Sequence, residues 1–469
     1  MSVRRRPTRP PLSRRAPASD ARSTHRLALA DQALFAAGRA AGLKLVTQVV
    51  WIYEHAIDFD GLKRFHHNLG YGLLGRRIEC SPLPFGRHRW VLDRGPLDID
   101  IAEHARPRTE LSDWADDRLQ LPIDPEWGPG WHLGVIRLTD GATAVSLVVS
   151  HYIVDGLGLV VALADAVLGN TRDLGYPPPQ SRTRLRAVIQ DARQTARDVP
   201  EVGRALVAAA RLARKQAGRS RSGARSPAPS PVAPCGGADE VVVVPTVTIY
   251  VGLDDWDACA KALGGTSNTL AAGFAAKLGQ RMGRRRAGDG AVTLQLPISD
   301  RTEGDTRANA VSSARVSVDP ERVTTDLRDT RAAIKQALRT LRETPEESLQ
   351  LLPLAPFTPK RVWKRMSDAM SADPDLSVFC SNLGDLSSVV NRPDGTDAER
   401  GMIRVTGQGV TRQWLERVGG QLNVQTRRIA GQIRLSINAY QPGAENTKLA
   451  LRELAAHTLA EFGLTGDIE

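Results

Sequence analysis

Apolar and polar positions along this chain alternate between a strand-like and a helix-like period, and the sharpest change lies near residue 150. Trp131–Thr139 and Ala142–Ser150 are two apolar runs joined by Asp140-Gly141. A two-residue Asp-Gly link predicts a tight hairpin with a type I′ turn, both central residues taking positive φ. From Asp155 to Leu168 the pattern is that of a helix, with Asp155 as N-cap and Gly169-Asn170 as stop. Leu157, Val160, Val161, Ala164, Val167 and Leu168 form its predicted buried face. Upstream, Leu27–Ala41 reads as a short helix and Val46–His55 as a strand. Asp60 then opens a helical run, Gly61–Leu74, with Leu62, Phe65, Leu69 and Leu73 on one face.

Pro177-Pro178-Pro179 closes this first half. Residues 182–218 predict basic amphipathic helices parted at Pro200, with Leu185, Val188, Ile189 and Ala192 and then Val202, Leu206, Ala209 and Leu212 apolar. Residues 219–240 form a Ser/Pro/Gly/Ala linker. The second half restarts with a strand, Val241–Val251, followed by helices Asp254–Leu263 and Ser267–Met282. Val292–Ile298, Ala310–Val318, Ser377–Cys380, Met402–Val405 and Gln432–Ala439 read as strands, and 324–343, 360–370 and 446–462 as helices. Strands interleaved with helices in both halves predict mixed α/β sandwich domains. The expected organisation is a basic tail without order (1–26), an N-terminal subdomain (27–178), a helical connection and linker (179–240) and a C-terminal subdomain (241–469).

The chain has 469 residues, too many for one ordinary core and suited to two domains of roughly 150–230 residues. Its formal net charge of +11 would suit a nucleic-acid partner, but the location of the charge argues against one. Residues 1–26 carry eight Arg against Asp20, and residues 211–230 carry five Arg and one Lys with no acid, so the remainder is slightly acidic. Such segments could touch anionic lipid or nucleic acid, with a merely solvated tail and linker as the alternative and peripheral contact with an anionic membrane as the partner they suit best. Nucleic acid is not expected as a partner. The four cysteines (Cys80, Cys235, Cys259, Cys380) are far apart, which predicts neither a disulfide framework nor a zinc site. With no apolar run of membrane-spanning length and no secretory signal pattern at the start, a cytoplasmic monomer is expected.

Among nine histidines the doubled His66-His67 attracts attention, yet it lies in an amphipathic helix with Tyr71, not an acid, beyond it. No His-Glu-x-x-His spacing or dense ligand cluster appears, so no metal is expected. His151 differs in context. It follows an apolar strand directly and precedes Asp155-Gly156 at the mouth of a helix. A neutral imidazole near pH 7 is suited to taking a proton from a hydroxyl or amine as it becomes a nucleophile. Asp155 is placed to fix the loop, and Gly156 allows close backbone approach; the alternative is that Asp155 only caps the helix and His151 merely ends a strand.

The segment Ser150–Gly156 resembles the His-His-x-x-x-Asp-Gly motif of the chloramphenicol acetyltransferase-like superfamily, with Ser150 in place of the first His. Other elements follow in order. Gly130-Trp131 is similar to a Pro-Leu-Trp element. Thr266–Leu270 resembles an Asn-Asp element with Thr269 in place of Asp. Leu296–Arg301, followed by Asn309, resembles a Val-Pro-Val-Ser-x-Arg strand end. Val378–Gly384 resembles a Ser-Asn-Val-Pro-Gly element lacking its Pro, and Gln432–Gln441 a closing strand. The resemblance covers roughly residues 27–465 and is nearest the bacterial wax ester synthase/diacylglycerol acyltransferase and polyketide-associated acyltransferase group.

It implies an α/β fold of two chloramphenicol acetyltransferase-like sandwich subdomains in a V with a central tunnel. It implies His151 as general base, Asp155, Gly156 and Arg301 as structural support, with Asp155 paired to Arg301, and Ser150, Asn268, Ser381 and Asn382 lining the tunnel. Asn268 has helix capping, and Ser381-Asn382 a strand-end turn, as their purely structural alternatives. No cofactor is implied beyond acyl-CoA as co-substrate. The leading expectation is acyl transfer from acyl-CoA to a hydroxyl of a lipid, sugar or other small molecule. An acyl-carrier protein as donor, and a non-catalytic binding role, are the alternatives.

Overall fold

The computed structural model describes residues 25–220, 240–343, 347–371 and 373–469. Most of the expected basic tail (residues 1–24 of 1–26) and most of the linker expected at 219–240 lie outside the described residues. The first half runs α1 (Leu29–Ala41), β1 (Lys44–Tyr53), α2 (Phe59–Leu69), β2 (Arg76–Glu79), β3 (Arg89–Leu92), β4 (Asp100–Ile101), α3 (Leu111–Gln120), β5 (Trp131–Arg137), β6 (Thr143–Ser150) and α4 (Gly156–Leu168). A single long helix, α5 (Arg184–Ser220), leads out of it. The second half runs β7 (Thr246–Gly252), α6 (Leu253–Ala262), α7 (Ser267–Arg281), β8 (Val292–Ser299), β9 (Val311–Val318), α8 (Arg328–Glu343), α9 (Lys360–Ser371) and β10 (Val378–Asp385). It ends with β11 (Arg400–Gln408), α10 (Arg412–Arg417), β12 (Gln421–Ile429), β13 (Gln432–Tyr440), α11 (Lys448–Ala460) and β14 (Asp467–Ile468).

Two large sheets result. The first has the order β11-β1-β6-β5-β4 and the second β14-β7-β13-β12-β10-β8-β9. Strand β11 belongs by sequence to the second half but pairs antiparallel with β1 along Lys44–Ile52, so the two halves interlock. Its start is held from the second sheet: Tyr250 donates to the Gly401 carbonyl at 3.3 Å, and Arg434 to that of Glu399, the residue before the strand, at 3.2 Å.

Every residue of β6 is buried. Val145, Leu147 and Val149 share one core with Val49, Trp51, Phe65, Leu69, Leu159 and Leu163, so α2 and α4 cover that face. The opposite face carries a buried polar chain. Gln48 donates to Ala115 and to Ser146, and Arg404 donates to Gln48 at 2.7 Å and pairs with Asp116 at 2.7 Å. In the second half, α7 is buried from Thr269 through Gly279. Its small residues let it lie against both β8 and α8.

Several local expectations are corrected. Asp140 keeps negative φ and only Gly141 is positive (φ 91°), with Gly141 donating to Leu138 at 3.1 Å. The link is therefore a three-residue loop, a type I turn closed by a glycine bulge. The buried face of α4 is Gly158, Leu159, Ala162, Leu163 and Ala166, while Val161 and Leu168 are exposed. In a helix apolar nearly all round, periodicity does not select a face. Asp58, not Asp60, caps α2. Pro200 does not break α5, which runs as one helix and buries Ala187, Asp191 and Ala205 rather than Leu185 or Leu206. Asp191 is matched there by Arg182 at 2.9 Å and by the Ser81 hydroxyl at 2.6 Å. Strands β2, β3 and β12 and helix α3 had no counterpart in the sequence reading.

Burial holds the pKa of His88 and of His132 down at about 4, with Arg39 and Arg118 adding to the effect respectively. In the unfolded chain both titrate near 6.5. As pH falls below that value the unfolded state takes up protons that the folded state refuses until about pH 4, so stability is lost across that window and is constant above it. The melting temperature is expected to fall steadily from pH 6.5 to 4.5, and His132→Gln to shallow that slope. A melting temperature unchanged over this range would contradict the assignment.

Candidate active site

Strand β6 ends at Ser150, and residues 151–155 turn the chain into α4. The backbone of His151 is pinned on both sides. Its N–H donates to Leu45 at 2.9 Å, and its carbonyl accepts from the Asn309 side chain at 3.3 Å. The residue is half-buried. Its Nδ1 is buried and has no hydrogen-bond partner among the described residues. Burial pushes the imidazole pKa below its ordinary value, against the opposing pull of the Asp155 carboxylate and the Asn309 side chain.

Asp155 is 2% exposed and does two jobs with its two oxygens. Oδ1 accepts from Gly158 N–H at 2.7 Å and so caps α4. Oδ2 accepts from Arg301 Nη2 at 2.8 Å and from Ala310 N–H at 2.8 Å. Its own N–H donates to Ala308 at 2.8 Å. Arg301 in turn donates to the carbonyls of Asp305, Arg307 and Ala308 at 3.1 Å each. The geometry therefore unites Asp155 and Arg301 and makes them the knot tying the motif loop to the β8–β9 loop, residues 300–310.

Two residues absent from the sequence reading complete the knot. Asp31 on α1, 2% exposed, accepts the N–H groups of Ala308 and Asn309 at 2.9 and 2.8 Å. Arg76 on β2, 1% exposed, donates to the Ile153 carbonyl at 2.8 Å and the Thr306 carbonyl at 2.6 Å, with its guanidinium over the Trp90 ring. A lone acid in the mostly apolar stretch 27–37, and an arginine two positions before the apolar Ile78 of β2, were the only traces available. The glycine that the packing demands is Gly158, where a Cβ would fall 2.8 Å from Val154 and 2.9 Å from Arg301. At Gly156 a Cβ would meet only Leu383, at 3.1 Å.

The second-half residues converge from the other side. Parallel strands β8 and β10 pair only at Val378–Leu294 and Phe379–Gln295. They part before their carboxyl ends, where Arg301 and Ser381–Leu383 follow. Pro297 is tolerated because it sits past that divergence. Asn382 donates to Asn268 at 2.6 Å, and its own side-chain oxygen accepts from Gly384 N–H at 2.7 Å. Asn268 does not cap α7. That position belongs to Thr266, in a reciprocal capping box with Thr269. The Ser381 carbonyl accepts from Thr426 at 3.3 Å. Ser150, expected to line a tunnel, is 2% exposed, and its hydroxyl accepts from Tyr152 N–H at 3.4 Å. Strand alternation places it with Ser146 and Val148, opposite the α4 face. Cavities of about 430 and 550 Å³ flank Asn268. Among the described residues no group of three or more His, Cys, Asp or Glu is placed to hold a metal ion.

Two mixed α/β halves, interlocked by a returning strand and a hairpin loop, define the chloramphenicol acetyltransferase-like fold shared by condensation domains and wax ester synthases. No protein-family model matches the chain, and no curated protein matches it. Among solved structures, the first condensation domain of the CDA synthetase matches with a TM-score of 0.55 at 14% identity, over 94% of this chain and 96% of that one. The wax ester synthase/diacylglycerol acyltransferase from Marinobacter aquaeolei VT8 matches with a TM-score of 0.50 at 14% identity, over 93% and 98%. Polyketide synthase associated protein 5 from Mycobacterium tuberculosis matches with a TM-score of 0.50 at 15% identity, over 93% and 96%. The expected fold is thus the observed one.

Removing the Arg301 guanidinium leaves the Asp155 carboxylate charged and buried, a situation that costs roughly 3–5 kcal/mol. Arg301→Ala is expected to lower the unfolding free energy by about that amount in urea titrations. A loss below about 1 kcal/mol would mean that the backbone amides alone carry the carboxylate.

Proposed function

We propose that the chain transfers an acyl group from acyl-CoA to a hydroxyl acceptor, a lipid or other small molecule, with His151 as general base. The observation that carries this reading is a half-buried, backbone-pinned histidine at the end of β6, its loop gripped by both halves of the molecule. With Nδ1 buried, Nε2 is the nitrogen left to meet a substrate proton. The acceptor oxygen attacks the thioester carbonyl carbon as His151 takes the hydroxyl proton. The tetrahedral intermediate then collapses, the C–S bond breaks, and the imidazolium returns the proton to the departing CoA thiolate. No acyl-enzyme forms and no nucleophilic side chain is needed. A proton shuttle of this kind contributes about 10²–10⁴-fold in rate, and burial limits competition from water as acceptor.

Asp155 and Arg301 act in this reading by positioning. Their buried pair fixes the 151–155 turn, and Asp31 and Arg76 secure the opposing loop. A thioester on a carrier protein is the second reading, favoured by the likeness to the condensation domain, and the donor is what separates the two. Purified protein offered acyl-CoAs of graded chain length, acyl-carrier protein and mixed acceptors would be read by thiol release and mass spectrometry.

His151→Ala is expected to reduce transfer by about 10²–10⁴-fold while leaving the melting temperature within a few degrees of the parent. Full activity in that variant would end the proposal. Because burial lowers the His151 pKa, the base stays neutral and competent below the ordinary imidazole range. The acidic limb of the kcat/KM profile is therefore expected below pH 6.5. A limb above pH 7 would point to a different base.

A further inference from the structure

Helix α5 has two long sides, and the fold fills one of them. Ala187, Asp191 and Ala205 are buried there, and the segment Glu347–Phe357 of the second half lies against the helix. The other side carries a regular seam. From Leu185, stepping alternately four and three residues to Ala213, every position is aliphatic or glycine, and every one is exposed. Leu185, Ile189, Val199 and Leu206 are the large members, exposed by 69, 41, 57 and 57%, and alanine or glycine holds the other positions. These are the a and d positions of a heptad, sustained over about four repeats. A monomer rarely leaves so long an apolar stripe open to water.

One edge of the seam is cationic. Arginine follows the seam residue at 186, 193, 197, 204, 211 and 214, and all six are exposed. Glu201 is the one exposed acid of α5 among the described residues, and it stands 4.0 Å from Arg204. Arg186, Arg193 and Arg197 have no ion pair among the described residues. The occupant that complements this edge is acidic. The two longer stretches outside the described residues, 1–24 and 221–239, are net basic by sequence and do not complement it. A second copy laid antiparallel would set arginine against arginine along the edge.

The spacing separates a helix from a flat anionic surface. A straight α-helix drifts about 20° per heptad against a 3.5-residue repeat, so the seam winds by about 80° over four heptads. A bilayer would meet only part of such a stripe, whereas a second helix that supercoils about α5 follows all of it. The alanines and the glycine leave room for larger side chains from that helix.

We infer that this seam is the docking surface for a helix of a partner protein, apolar at its own a and d positions and acidic at the positions beside them. The probe is a synthetic four-heptad peptide with leucine at a and d and glutamate at e and g, titrated into the full-length protein by fluorescence anisotropy. Its twin carries lysine at e and g. The acidic peptide is expected to bind, more weakly as salt rises, and the basic twin not to bind. Arg193→Glu/Arg197→Glu/Arg204→Glu is expected to invert that preference, each peptide shifting at least tenfold, which a loss of folding would not produce. Ile189→Asp/Leu206→Asp is expected to lose both peptides at an unchanged melting temperature. Arg361→Glu/Lys364→Glu/Arg365→Glu on α9 makes the same change in net charge away from the seam and is expected to behave as the parent, as is His151→Ala. A parent that binds neither peptide, a preference that the α5 charge reversal leaves in place, or binding indifferent to Ile189→Asp/Leu206→Asp would overturn the docking surface. So would a parent that ignores both peptides and, through Ile189 and Leu206, self-associates in sedimentation velocity or binds vesicles of phosphatidylcholine and phosphatidylglycerol.

Discussion

The structure turns on one buried carboxylate. Asp155 is at once the N-cap of α4, the counter-ion of Arg301 and the acceptor for Ala310 N–H. These three bonds belong to different scales of the fold: a helix end, an ion pair between halves and the seating of a loop. A carboxylate this deep would be untenable alone, since a buried charge without partners costs several kcal/mol. It is tenable because every partner is itself oriented by something else. Arg301 is spread over three carbonyls of its own loop, and that loop is held from beneath by Asp31. The pair therefore adds less to overall stability than to uniqueness of shape, because any other seating of the 300–310 loop leaves a charge stranded.

That uniqueness is what a proton-transferring imidazole needs. His151 takes its position from backbone bonds on either side, to Leu45 in β1 and from Asn309 in the opposing loop, and not from a partner on its ring. A ring free of a fixed acceptor keeps its lone pair for a substrate, whereas its depressed pKa keeps it neutral. The same burial that would weaken an isolated histidine's attraction for a proton thus secures its availability as a base. Arg76 performs the matching task for the turn itself, holding the Ile153 and Thr306 carbonyls in one guanidinium plane, a geometry that a lysine could not reproduce.

Much of this was legible in the sequence, and what was missed shares a cause. The hairpin, the strand-end His151, the Asp155 cap and most helices announce themselves through local period and turn residues. The Arg301 partnership was reached through ordered resemblance to a family, and the geometry bears out the contact. Strand β12 was hidden because Gln421–Ile429 lies between β13 and β10 and carries polar residues such as Asn423, Gln425 and Arg427 that are satisfied only by tertiary neighbours. The face of α4 was misjudged because an all-apolar helix has no polar side to exclude. Asp31 and Arg76 escaped because their meaning lies more than two hundred residues away, in a loop that no local pattern connects to them. The return of β11 to the first sheet is of the same kind.

The two positions at which this chain departs from the motif it resembles have local structural reasons. Ser150 sits on the β6 face opposite α4, in line with Ser146 and Val148, where the chain is 2% exposed and a second imidazole would have to be buried beside Val46 and Gly130. Thr269 closes the capping box with Thr266, donating to the Thr266 carbonyl at 2.9 Å and accepting from its N–H at 2.6 Å. A threonine supplies both roles where an ionised aspartate could only accept. Neither change loosens the Asp155–Arg301 knot or the seating of His151, which stand on the other face of β6 and in the opposing loop. Departure from the motif at these two positions is therefore accommodated by packing and capping, and it leaves the groups on which proton transfer would depend in place.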